Sequence, residues 1–256
     1  MSKHQPEVTY DAAVGAGLAL FAFWRLKRTV FGAEHLPREG GAVIAITHFG
    51  YLDFALTEWI VWLQTRRRIR FMAKQSVFNR PVVGSLLRAM RHIPVDMSAG
   101  ADAYAAAVEA LKAGELIGVF PEAGVSASFT VRDFKTGAVR LAAEADVPVI
   151  PVVVWGGHRL MTKRRRVRFV ERFGVPVSFA IGSPLMFSPD ADARVETDRL
   201  HATMAAMVDG LQARYPVDGA GQWWQPRELG GAAPSADEAA AADAARDAQR
   251  AAERRK

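Results

Sequence analysis

Short apolar segments, each too brief for a buried helix and separated by helix-length stretches, restrict the fold of this chain more than any other feature. Ala42–Ile46 follows Gly40 and Gly41 and reads as a buried strand, as do residues 69–73, 116–120, Val149–Trp155 and 175–181, with Ile93–Val95 a shorter extended piece. Between them, residues 53–64, 81–90, 101–113, 135–145 and 192–215 carry helical patterns; Pro81 suits a first helical turn and Gly114 a helix end. Strands alternating with helices predict an α/β fold with a mixed, largely parallel sheet flanked by helices.

Three zones follow. Residues 1–32 predict an N-terminal helix, apolar at first and then basic at Arg25, Lys27 and Arg28. Such a helix suits an anionic lipid interface or packs on the domain's own sheet. Its apolar run, 12–24, has 13 residues, short of the roughly 20 that span a bilayer. No secretory signal is expected at this polar start. Residues 33–217 form the α/β domain. Residues 218–256 contain Trp223 and Trp224, then an alanine-rich stretch of alternating charge. Lacking an apolar stripe, residues 236–256 are expected to be a solvated helix or disordered, without docking, whereas Trp223 and Trp224 suit an interface anchor or core packing.

Charge narrows the partners. Thirty-three Lys and Arg against 27 Asp and Glu leave a formal charge of +6, which favours nucleic acid, an acidic membrane or a phosphorylated substrate. The basic residues are scattered without interleaved aromatics, so nucleic acid is not expected. The densest run, Lys163-Arg164-Arg165-Arg166-Val167-Arg168, suits lipid headgroups, coenzyme A phosphates, acidic acyl carrier protein or plain solvent. The chain has no cysteine, which excludes thiol catalysis and disulfides, and its histidines lack ligand spacing, so no metal is expected.

The chemistry concentrates where apolar strands end. Thr47-His48-Phe49-Gly50-Tyr51-Leu52-Asp53 follows Ala42–Ile46 directly. A histidine takes a proton near neutrality, and a carboxylate that fixes its tautomer makes it a better base. On one continuous helix the two would stand roughly 140° apart, so His48 belongs in the loop and Asp53 at the helix start. Taken alone, the spacing more often describes a capping aspartate beside a loop histidine. Phe120-Pro121-Glu122-Ala123-Gly124-Val125-Ser126 follows another strand: Glu122 could grip a hydroxyl, while small Gly124 and Ser126 leave backbone N–H groups for phosphate or an oxyanion; taken alone, the block reads more readily as an ordinary strand-to-loop turn with a solvated glutamate. Lys135, where a helix opens, suits an anion, or the segment simply caps the helix. The prolines of Val147-Pro148-Val149-Ile150-Pro151-Val152 suit the beginning of a strand, not a central paired position.

In this order the blocks resemble the glycerolipid acyltransferase family, typified by 1-acylglycerol-3-phosphate acyltransferase, whose members carry His-x4-Asp, then Phe-Pro-Glu-Gly-Thr-Arg, then Val-Pro-Ile-Pro-Val. Here they begin at His48, Phe120 and Val147, and the resemblance covers roughly residues 35–185. It implies an enzyme: a membrane-associated O-acyltransferase, peripheral or monotopic on the cytoplasmic face of the cell membrane. The donor would be acyl-CoA or acyl carrier protein, a co-substrate rather than a cofactor. The acceptor would be a lysophospholipid hydroxyl, 1-acylglycerol-3-phosphate giving phosphatidic acid. By the same resemblance His48 is the general base, Asp53 its orienting partner, Glu122 an acceptor-binding residue, and Arg91 part of the second block. Transfer would be direct; Gly124-Val125-Ser126-Ala127-Ser128 fails as a nucleophile elbow at its last position. Two departures stand out: Ala123-Gly124-Val125 replaces Gly-Thr-Arg, and Met97 replaces an arginine after Asp96. Arginine grips phosphate bidentately and is not readily replaced; Arg91, Arg132, Lys135 or Arg140 are the available substitutes. The variant block through Ser128 and Phe129 looks like that of an actinobacterial subgroup. Another lipid alcohol or a glycolipid as acceptor, or a non-catalytic lipid-binding relative, are the alternatives.

Overall fold

The computed structural model describes residues 7–96 and 100–253 of the chain; Met97 lies outside them. In chain order the elements are α1 (Val8–Phe23), β1 (Lys27–Phe31), β2 (Ala42–Ile46), α2 (Asp53–Thr65), β3 (Ile69–Lys74), α3 (Gln75–Phe78), α4 (Pro81–Ala89) and β4 (Ile93–Val95). Then come α5 (Gly100–Lys112), β5 (Leu116–Val119), α6 (Gly137–Ala145), β6 (Val149–Trp155), β7 (Pro176–Ile181), α7 (Ala193–Ala213) and α8 (Ala236–Glu253).

The strands form one sheet in the order β1-β7-β6-β2-β5-β3-β4. Every neighbouring pair is parallel except β6 and β7. β2, β5 and β6 are buried at every position, as strands covered on both faces must be. Their period of two splits the core. Ile44, Ile46, Val152 and Val154 face α1 and α2, with Phe21, Leu56, Trp59 and Ile60. Val43, Ala45, Ile117 and Val149 face α5, α6 and α7, with Ala107, Leu111, Leu141 and Met204. No helix among the described residues is long and apolar enough to cross a membrane.

The expected N-terminal helix ends early. Arg25 takes a left-handed backbone (φ 54°), and Lys27–Phe31, read as part of the helix, is a strand parallel to β7. Thr29, Val30 and Phe31 favour extended backbone, and a largely exposed strand with Lys27 and Arg28 is typical of a sheet edge. The helix packs on the domain: Phe21 lies 5.1 Å from Trp59, and Asp11 and Glu7 pair with Arg68 and Arg70 at the start of β3.

Pro151 sits inside a central strand, contrary to the expectation for it. Its carbonyl faces β7 and accepts from Gly182, so its missing N–H falls just beyond the antiparallel ladder, which starts at Val152↔Ile181. The C-terminal tail also docks. Trp224 and Ala233 are buried, and Asp243 of α8 pairs with Lys163, Arg164 and Arg132. For α8, charge does what an apolar stripe does elsewhere.

Candidate active site

β2 and β5 are adjacent and parallel, so the loops that leave their C-terminal ends emerge side by side. The first carries His48 into α2; the second carries Phe120 and Glu122. Asp53 opens α2 and is fully buried, yet folds back on its own loop: its Oδ2 accepts from the Gly50 N–H at 2.7 Å and faces His48 Nδ1 at 3.4 Å. The second contact is long, as such bonds often are before substrate arrives. Since a carboxylate only accepts, Nδ1 carries the hydrogen and Nε2 keeps its lone pair. Burial raises the Asp53 carboxyl above its usual range, against the opposing pull of His48 and the loop N–H groups. Close approach is needed on the far side as well: a Cβ on Gly157 would fall 2.7 Å from Leu56 and 3.0 Å from Asp53 Oδ1.

Glu122 does not extend a free carboxylate. It is buried, and its two oxygens accept from the backbone N–H groups of His48 (2.8 Å) and Arg132 (3.1 Å). Burial pushes it up to about 7. Its first effect is to seat His48, which also accepts at its carbonyl from the Ser126 N–H at 2.8 Å. Ser126 Oγ donates to Thr130 O, and the Ser128 and Thr130 hydroxyls meet at 2.7 Å. Ala123, with φ 55°, makes the tight turn; Gly124 lies under the Arg132 guanidinium, 3.4 Å from where a Cβ would stand. The His48 ring stacks on Phe120 at 4.1 Å, and Phe120, Phe71 and Phe54 continue as an aromatic row toward solvent. His48 stays 18% exposed, enough for a substrate atom to reach it.

His48, Asp53, Glu122, Gly124 and Ser126 are thus brought together. Arg91 is not: its guanidinium lies against Glu7 and Glu115, and Glu115 precedes β5, at the opposite end of that strand from Phe120. Lys135 donates its backbone N–H to Pro121 O, and its side chain is exposed. Sequence reasoning gave no role to Thr162, whose hydroxyl donates to Phe49 O at 2.8 Å; nothing in a lone threonine signals such a contact.

An acyltransferase family model matches residues 27–155, half of the chain, and so covers both loops. The chain belongs to the acyltransferase family. The 1-acyl-sn-glycerol-3-phosphate acyltransferase of Bacillus subtilis is 34% identical to this acyltransferase over 189 residues, 72% of this chain and 84% of that protein. The chloroplastic 1-acyl-sn-glycerol-3-phosphate acyltransferase BAT2 of Brassica napus is 27% identical over 156 residues; the match spans 43% of that longer protein. The crystal structure of the 1-acyl-sn-glycerophosphate acyltransferase PlsC from Thermotoga maritima superposes with a TM-score of 0.65 over 81% of each chain, at 23% identity. That likeness shows that this acyltransferase has the same fold.

Proposed function

We propose that this acyltransferase moves a fatty acyl group from a thioester of coenzyme A or of acyl carrier protein to the hydroxyl of a lysophospholipid, foremost 1-acylglycerol-3-phosphate, giving phosphatidic acid. The carrying observation is the His48–Asp53 pair at the C-terminal end of β2. His48 Nε2 takes the proton of the acceptor hydroxyl as its oxygen attacks the thioester carbonyl. Asp53 stabilises the imidazolium that forms. The tetrahedral intermediate collapses with loss of thiolate, which takes the proton back from Nε2. No acyl-enzyme is needed. The aromatic row beside His48 gives an acyl chain an apolar wall.

A cytoplasmic-face membrane location is part of this reading. Phe23, Phe169 and Phe173 come from distant segments, contact one another at 5.3–6.3 Å, and remain 58%, 55% and 40% exposed. Arg25, Arg168 and Arg172 border them in sequence. Exposed aromatics flanked in sequence by cations suit an anionic lipid interface. A second acceptor class, a lipid alcohol without a phosphate monoester, is favoured by one observation: Arg91 points away from the site.

The test is mass spectrometry of lipids after incubation with labelled acyl-CoA and a panel of lysolipids. Labelled phosphatidic acid is the expected product; a labelled glycolipid instead selects the second class. His48→Ala should lower turnover by about 10²–10⁴-fold, and transfer at the wild-type rate would remove His48 from the chemistry.

A further inference from the structure

The basic run that the sequence displays as a block is divided among separate partners in the fold. Thr162 and Arg165 bridge to form a tight turn, and Arg164 at its tip takes a left-handed backbone with φ 64°. Arg165 lies over Trp223, 4.2 Å from the ring centroid. Lys163 and Arg164 converge with Arg132 on a single carboxylate, Asp243: Lys163 Nζ at 2.6 Å, Arg132 at 3.6 Å, and Arg164 in direct contact. Among the described residues, three cations thus share this one ion-pairing carboxylate. A cavity of about 240 Å³ opens beside them, walled by Phe129, Thr162, Lys163, Arg164, Arg165 and Trp223.

This cluster is tied to the catalytic loop at several points. Thr162 donates to Phe49 O, and Tyr51 donates its N–H to Met161 O. The Arg132 N–H is held by the same Glu122 that holds the His48 N–H, and its guanidinium overlies Gly124. The carboxylate that fills the cluster comes, by contrast, from a helix that buries little: Ala239 is the one buried residue of α8 among those described. A phosphate group offers more oxygens and more charge than a carboxylate, and guanidinium and ammonium groups match both.

We propose that Arg132, Lys163 and Arg164 form a phosphate-binding site beside the catalytic loop, and that Asp243 occupies it until a phosphate-bearing substrate displaces α8. The proposal rests on the acyl-transfer reading only for the substrate's name. The phosphate comes from the donor's coenzyme A or from the acceptor's phosphomonoester, and the two are distinguished by experiment. The full-length chain carrying His48→Ala, which cannot turn over by that reading, is titrated calorimetrically with free coenzyme A and, separately, with a short-chain lysophosphatidate below its aggregation concentration. Asp243→Asn should tighten one of the two by about tenfold, and Lys163→Ala with Arg164→Ala should weaken the same one by about tenfold or more. The ligand affected names the source. If Asp243→Asn leaves both affinities unchanged or weaker, the contact only fastens the tail, and the proposal fails even if acyl transfer is established. Asp243→Asn keeps all three cations, so the test survives if the double variant does not fold.

Discussion

α2 carries two buried carboxylates that face opposite demands. Asp53, in the first turn, meets N–H groups and the imidazole, and stands where a helix favours negative charge. Glu58, one turn further in, meets Tyr10 and the Ile69 N–H, and burial pushes it up to about 8 against the pull of those bonds and of Arg70. Tyr10 Oη lies 2.9 Å from Glu58 Oε2 and 2.6 Å from Ile69 O, but has one hydrogen for two acceptors. A neutral Glu58 resolves this: it donates to Tyr10, which donates to Ile69 O. The folded state therefore holds a proton that the unfolded chain releases above about pH 4.5. The Glu58 contribution to stability is full below that pH and is lost as pH rises toward 8. Thermal unfolding at pH 6 and pH 9 should show a larger fall for wild type than for Glu58→Gln, whose amide can donate at every pH; equal falls would refute a protonated Glu58. Asp53 was legible in the sequence because its partner is five positions away. Glu58 was not, because its partners are 48 and 11 positions off and only the fold brings them in.

At the scale of elements, the turn from β2 into α2 is set by backbone contacts. Gly50 lies so close to the next segment that a Cβ would fall 2.9 Å from both His158 Cα and Met161 O, neither of which can swing aside. Gly50→Ala should therefore shift the turn, costing about 1–3 kcal/mol of stability and about 10²-fold in kcat through misplaced His48 and Asp53. Steady-state kinetics on folded variant checks this; an unchanged kcat would mean that the turn tolerates displacement. The strands and helices of the central domain were readable from periodicity, since strands buried on both faces leave apolar runs. β1 was not, because an edge strand buries little and Lys27 and Arg28 look like the basic end of a helix. The docking of α8 was missed for a related reason: its contact with the domain centres on one aspartate, Asp243, whose partners are far off in sequence.

For the whole molecule, the reversed direction of β7 against β6 decides which surfaces lie together. Trp155 pairs with Ser178, so the segment entering β7 stands at the end of the sheet where β6, and with it β2, terminates. The Phe23–Phe169–Phe173 cluster thus shares an end of the sheet with His48. Replacing Phe23 and Phe169 together by alanine should lower partition onto phosphatidylglycerol vesicles by about tenfold, with transfer to a monomeric short-chain acceptor retained. Sedimentation with vesicles measures the first and product formation the second. Undiminished partition would move the docking face elsewhere. Motif order and spacing disclosed the family from the sequence, but not this surface, whose segments meet only because two strands run against the rest.

Glu122 belongs by sequence to one motif and by bonding to another, 74 positions earlier. Its oxygens act as a rivet between two loops that have no covalent reason to stay in register. A redesign that transplants the His48 loop into a related scaffold must bring this glutamate along. Without it the His48 N–H arrives without its acceptor, however faithfully the other side chains are copied.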